Sequence, residues 1–291
     1  MSQPIAITGA NGNLGVRLIK TIGETGVRAL VRSDRAKQSL LKDYPNLDVR
    51  IVDYTDSGSL RSACEGCEAV VHLVGILKEN AQSNYLDAHE DSCTALVSSL
   101  PDSVQRIVYL SIVGSRADHS NTCLASKGKA EDILLASDVD VLVFQVPMVL
   151  GEGDYASAAL RRNAEKGKVT VFRGASLEQP IYAGDVVAAI QAGDKVTGKH
   201  RLRLAGPESL PREVLIQRAA SLRGIDAKVS SLPIGLGMTL AFFLELLPNP
   251  PVTRAMLGVL DHDDKVDSGE AVQLLGLELT PLDEMLKLTT M

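Results

Sequence analysis

Residues 8–15 read TGANGNLG, between the apolar run PIAI and a helix-like run that opens VRLIKTI. Gly9, Gly12 and Gly15 therefore stand where a strand ends and a helix begins. In that setting the first glycine permits a tight turn, the second lets the backbone approach a pyrophosphate, and the third lets helix and strand pack closely. The opening of the helix adds unsatisfied N–H groups and a dipole that favours an anion, which brings in the backbone of Asn11, Asn13 and Leu14 as well. No Lys-Ser/Thr pair follows the glycines, which excludes a Walker A loop. The stretch predicts a phosphate-bearing ligand on an α/β framework.

Working outward, short Val- and Ile-rich runs near 4–8, 27–31, 48–52, 69–74, 106–111 and 140–146 alternate with helix-like stretches near 13–23, 57–65, 84–99 and 125–136. That rhythm predicts βαβ units and a doubly wound parallel sheet covered by helices on both faces, over residues 1–150. Beyond PMVLGEGD it loosens. A helix at 155–166, a strand at 169–173, a helix from Asp185, a strand at 200–205 and a helix at 212–223 predict a smaller, partly helical C-terminal region over 151–291, with 180–195 folding back onto the first.

The carboxyl ends of successive strands carry the next signals, because open α/β sheets bind ligands there. The second strand ends ALVRS, placing Arg32 and Ser33 where an NAD site commonly has an acidic residue for the ribose 2′-hydroxyl. A guanidinium suits a 2′-phosphate, so the expected cofactor is NADP(H); the alternative is a solvated Arg32 with Asp34 serving NAD. Asp53 in VDYTD is expected to accept from the adenine amino group, and Tyr54 to flank the ring. In HLVG, Leu73, Val74 and Gly75 are expected to let the backbone pass close to a ribose.

With TGANGNLG, ALVRS, VDYTD, VVHLVG, YLSIVGS, ASKGKAE, PMVLGEGD and PIYAGDVV in this order, the chain resembles the atypical or extended short-chain dehydrogenase/reductases, over roughly residues 4–190. Within them it is most similar to epimerase-like proteins of the branch that includes the NADPH-binding 39 kDa-type accessory subunit of respiratory complex I, and next to NmrA-like proteins. The resemblance implies a Rossmann domain holding NADP(H), with Pro147 and Val149 also near the cofactor, and a small C-terminal substrate region. It also implies a Ser, Tyr and Lys that act together on the substrate oxygen. Ser111 matches the serine and Lys127 the lysine, while Cys123 occupies the tyrosine position. A thiol is too short to place its proton where a phenol would. Lys127 could draw it toward a thiolate, or it is a buried, inert group. Tyr155 and Tyr182 fall in segments that border the cleft in relatives, whereas Tyr109 lies mid-strand.

Composition narrows the rest. A net charge of -6 without a Lys/Arg block argues against nucleic acid, and Cys64, Cys67, Cys93 and Cys123 are too few for a disulfide scaffold. Cys64 and Cys67 share CxxC spacing but are read as packing residues, and the five histidines lack ligand spacing, so no metal is expected. The opening residues show no basic segment followed by an apolar run, and the expectation is a cytoplasmic protein. DHDDK at 261–265 is read as a solvated acidic connection. The run 232–248, LPIGLGMTLAFFLELLP, is too short to span a bilayer. It is expected to be a helix buried beneath the C-terminal region or in a dimer contact, the alternatives being the lining of an apolar substrate pocket or a membrane-docking face.

The functional expectation is an oxidoreductase on a small, apolar substrate. The alternatives are an NADPH-binding sensor or respiratory-complex assembly factor, and a nucleoside-diphosphate-sugar epimerase or dehydratase.

Overall fold

The computed structural model describes residues 3–247, 250–259 and 261–291. Pro248, which closes the long apolar run, and Leu260, just before DHDDK, lie outside the described residues. Two compact units are present, Met1–Gln145 with Ile190–Leu202, and Val146–Ala189 with Arg203–Met291.

The first unit is a Rossmann-type α/β sandwich. Its strands are β1 (Ile5–Thr8), β2 (Val27–Val31), β3 (Asp48–Ile51), β4 (Ala69–His72), β5 (Arg106–Ile112) and β6 (Asp140–Val146), and between them run α1 (Asn13–Ile22), α2 (Asp34–Asp43), α3 (Ser57–Cys64), α4 (Ser92–Val97) and α5 (Thr122–Leu135). A π-helical turn, Leu86–Asp91, leads into α4. The seven-stranded sheet has the order β11-β6-β5-β4-β1-β2-β3, where β11 is Lys199–Arg203. Pairs β1–β2, β2–β3, β1–β4 and β4–β5 are parallel. In β4 and most of β6 successive residues are buried whichever way they point, because helices cover both faces. The chain leaves β1 toward β2 and β3, then returns to β4 on the other side of β1. That reversal opens a crevice at the carboxyl ends of β1 and β4, where Thr8 pairs with His72.

Helix α2 has no counterpart among the expected helices. Only Leu40 is buried along it, so no apolar stripe marks it, and its start is set by Ser33, whose hydroxyl accepts from the Ala36 N–H.

The second unit contains β7 (Val149–Leu150), α6 (Tyr155–Glu165), β8 (Lys168–Phe172), β9 (Leu177–Glu178), β10 (Ile181–Tyr182), α7 (Ala183–Ala192, in its larger part), β12 (Leu210–Pro211), α8 (Arg212–Ser221), β13 (Lys228–Leu232), α9 (Ile234–Leu244), α10 (Arg254–Val259), α11 (Gly269–Leu275) and α12 (Leu282–Thr290). Leu150, Leu160, Leu215, Ile216, Met285 and Leu286 form much of its core. Within 180–195, the part up to Ala189 groups with this second unit, β10 pairing with β7, while residues from Ile190 group with the first.

Two sequence expectations change here. Helix α9 of the 232–248 run is not buried beneath the C-terminal region of its own chain: only Gly237 and Ala241 along it are buried. The acidic connection is not simply solvated either. Asp261 and Asp263 pair with Arg173, and Asp264 is buried beside His262.

Candidate functional site

The glycine turn is built for a close backbone approach. Gly9 has φ +65, a conformation that disfavours other residues, and a side chain there would meet the Leu73 carbonyl at 3.3 Å. A Cβ on Gly15 would lie 2.5 Å from the Ala10 carbonyl oxygen, so α1 can pack on β1 only with glycine at that position. Gly12 starts α1 without a side-chain cap, and Asn11, Gly12 and Asn13 are exposed there, with Leu14 half-buried. These features fit the pyrophosphate of a dinucleotide. Tyr54 holds the turn in place. Its hydroxyl accepts from the Gly9 N–H at 2.9 Å and donates to the Leu30 carbonyl at 2.7 Å, and burial pushes its pKa up to about 12. Tyr54 was expected to flank the adenine; instead the ring is 5% exposed and its hydroxyl is committed to the main chain, so it positions the loop.

At the end of β2, Arg32 and Ser33 are exposed at the start of α2. Among the described residues no carboxylate pairs with Arg32, which is exposed to solvent. Asp53 is also exposed; its Oδ1 accepts from the Thr55 N–H and hydroxyl, which lowers its pKa and keeps it an acceptor.

At the end of β4, Leu73 is half-buried, Val74 buried and Gly75 exposed. A Cβ on Gly75 would lie 2.8 Å from Lys127 Nζ, so glycine there makes room for the lysine. Lys127 is buried, donates to the Leu110 carbonyl at 3.0 Å and stands 4.5 Å over the Tyr109 ring. Desolvation lowers its pKa to about 8. Two histidines adjoin it. His72 Nδ1 and Thr8 Oγ1 are 2.9 Å apart, and His89 Nε2 accepts from the Ile76 N–H at 3.1 Å. Burial first, then the Lys127 charge, lowers both to about 3, so both are neutral at physiological pH. Sequence reading missed this pair because neither histidine has ligand spacing.

Ser111 and Cys123 are placed differently from what a serine–tyrosine–lysine set requires. Ser111 lies on the same face of β5 as Tyr109, is 2% exposed, and donates its hydroxyl to Glu131. Glu131 also accepts from Gln145 Nε2 at 3.0 Å and pairs with Arg201 at 2.7 Å. Ser111 is thus tied into a buried network instead of standing ready for a substrate oxygen. Glu131, four residues after Lys127 on the same helix, was legible only as helical spacing. Cys123 is fully buried; its thiol donates to the Ile76 carbonyl at 3.7 Å, and burial raises its pKa to about 11 against the opposing pull of Lys127. It is a thiol, not a thiolate.

Tyr109 is fully buried beneath Lys127. Tyr155 is 77% exposed with Arg162 over its ring, and the Tyr182 hydroxyl meets Glu152 at 2.8 Å. Pro147 and Val149 belong to the second unit, where Val149 pairs with Ile181.

A family model described as NAD(P)H-binding matches residues 9–176, from the glycine turn past Lys127. The chain belongs to the NAD(P)H-binding family. This agrees with the dinucleotide-binding resemblance that the sequence motifs carry over roughly residues 4–190. The ceramide reductase of Caulobacter vibrioides is 24% identical over 95% of this chain and 86% of its own length. A Medicago truncatula cinnamoyl-CoA reductase is 28% identical over 41% of this chain and 38% of its own. Among solved structures, the Bordetella bronchiseptica enzyme WbmH in complex with NAD+ has a TM-score of 0.71 at 18% identity, covering 99% of this chain and 97% of that one. MoeE5 in complex with UDP-glucose and NAD has a TM-score of 0.73 at 19% identity over the same shares. At such identities these structures share the fold.

Proposed function

We propose that the chain is an NADP(H)-dependent oxidoreductase that reduces a carbonyl group on a small, apolar, lipid-like molecule. The observation that carries the cofactor choice is Arg32, exposed at the end of β2 and free of a carboxylate among the described residues, with Ser33 beside it. A planar guanidinium there can meet a 2′-phosphate through two hydrogen bonds, and Asp34, two residues on and the first residue of α2, is a weaker claimant for a 2′-hydroxyl. NADPH, when bound, supplies the hydride. Lys127 would hold the ribose on the nicotinamide side and, with a pKa lowered to about 8, is an ammonium at neutral pH that can give a proton to the substrate oxygen in place of a phenol. The substrate class follows the ceramide reductase that aligns with almost the whole chain.

A second reading, in which NADPH is bound without turnover, is favoured by the buried thiol of Cys123 and the commitment of Ser111 to Glu131. Binding and turnover separate the two. Fluorescence titration should show NADPH held at least tenfold more tightly than NADH, and Arg32→Ala should remove that preference while leaving NADH almost unchanged. Equal losses for both would reject the NADP(H) assignment. Oxidation of NADPH in the presence of long-chain ketones, and not of short polar ones, is the outcome expected of the reductase. Tight binding with no oxidation across that panel would select the sensor.

A further inference from the structure

After α10 the chain returns through an irregular strap, residues 261–268, laid against β9 and the segment 205–209. The strap takes up both main-chain groups of Leu177: the Asp264 N–H donates to its carbonyl at 3.0 Å, and Asp263 Oδ1 accepts from its N–H at 2.9 Å. Gln179 fastens Val266 twice, donating to the Val266 carbonyl at 3.0 Å and accepting from the Val266 N–H at 2.7 Å. Ser176 donates to the His262 carbonyl, Ser209 donates to the Asp264 carbonyl, and Ser268 bonds Ala205 in both directions. All these partners lie in 176–179 or 205–209, so the strap is held as one piece.

One carboxylate is buried in the strap. Asp264 is 5% exposed, and its Oδ1 lies 2.8 Å from His262 Nε2; no other side chain among the described residues pairs with it. A buried carboxylate without a counter-charge is strongly disfavoured. The remaining charges nearby do not supply one. Glu178 of β9 faces both residues and is matched by Arg212, at the start of α8, at 2.6 Å. Arg173, at the end of β8, is matched by Asp261 and Asp263. Lys265 and Asp267, on the strap itself, are exposed. Acidic groups outnumber guanidiniums in this cluster, which leaves the imidazolium of His262 to balance Asp264.

We propose that His262 and Asp264 form a proton-controlled latch: with the imidazole protonated the strap is closed on β9, and loss of that proton leaves Asp264 buried without a counter-charge, so the strap lifts and the carboxylate reaches water. The Asp264 carboxylate, against the opposing effect of burial, raises His262 above its ordinary 6.5. A folded value above the unfolded one means that the latch contributes fully below pH 6.5 and is lost as pH rises through the folded value. Opening is local, because β13 remains paired with β8 and only the return from α10 is released. The latch lies wholly in the second unit and stands whether or not the chain is a reductase.

Deuterium exchange at the Asp264 and Val266 amides, divided by the rate of an unstructured peptide of the same sequence at each pH, reads the strap. Between pH 6.5 and pH 9 the corrected exchange should rise about tenfold, with its midpoint matching that of the His262 ring followed by NMR. Amides of β4 and β5 should stay protected, which separates strap opening from unfolding of the chain. Trypsin should cut after the exposed Lys265 with the same pH dependence, measured against the same peptide. His262→Gln, uncharged at every pH, should leave the strap open throughout. Asp264→Asn needs no counter-charge and should leave it closed throughout, which keeps the test decisive if the first variant does not fold. Corrected exchange that is flat across the range, a His262 midpoint at or below 6.5, or a step that persists in Asp264→Asn would each overturn the proposal.

Discussion

Tyr54 shows how one residue can shape a candidate site through main-chain partners. Its hydroxyl joins the end of β2, at the Leu30 carbonyl, to the Gly9 N–H of the glycine turn. Tyr54→Phe keeps the ring packing but leaves both main-chain groups without that partner, which should cost about 1–3 kcal/mol of stability. A lower urea midpoint together with dinucleotide binding weakened several-fold is expected, and unchanged binding at lower stability would confine Tyr54 to the core. Cys123 makes the opposite point. By the sequence resemblance it stands where a phenol is expected, and burial keeps it a thiol hydrogen-bonded to Ile76 and removes it from acid–base chemistry near neutral pH. Lys127, four residues on, is left as the titratable group beside Gly75.

Among the elements, α1 and β1 form the unit whose geometry is least tolerant of change. Gly15 sits where a methyl group would enter the Ala10 carbonyl, a backbone atom that cannot rotate away. Gly15→Ala should therefore push the start of α1 off β1, costing about 1–3 kcal/mol by overpacking. Because the helix N-terminus would move with it, NAD(P)H affinity measured by calorimetry should fall at least tenfold; retention of full affinity would show that α1 does not face the pyrophosphate. Helix α9 stands at the other extreme, since its composition reads as a core helix and its narrow contact strip shows that it is not one. In α2 the polar surface hides a helix that the Ser33 cap nevertheless begins.

For the molecule as a whole, the buried neutral histidines make folding sensitive to acid. His72 and His89 have folded pKa values near 3 against an ordinary 6.5, so their contribution to stability is present above 6.5 and is lost as pH falls toward 3, where the unfolded chain binds protons that the folded chain refuses. Between pH 7 and pH 5 the two together should remove about 4 kcal/mol, read as a lower urea midpoint, and His89→Gln should recover about half of that loss. The glycine turn and the strand–helix alternation were open to reading from sequence, because strand and helix periods and a φ > 0 glycine are local properties of the chain. Ser111 was not, since its role depends on which residue of α5 lies across from β5, and Glu131 claims it. The sequence left open whether Cys123 is a thiolate or a buried thiol, and burial against Ile76 decided for the thiol. The apolar run at 232–247 had the composition of either a core or a docking face. By itself the sequence determined a dinucleotide fold and its phosphate turn; tertiary structure decided which side chains keep their polar groups free and which apolar surface stays in water, because burial and hydrogen-bond partners are set by residues distant in the chain.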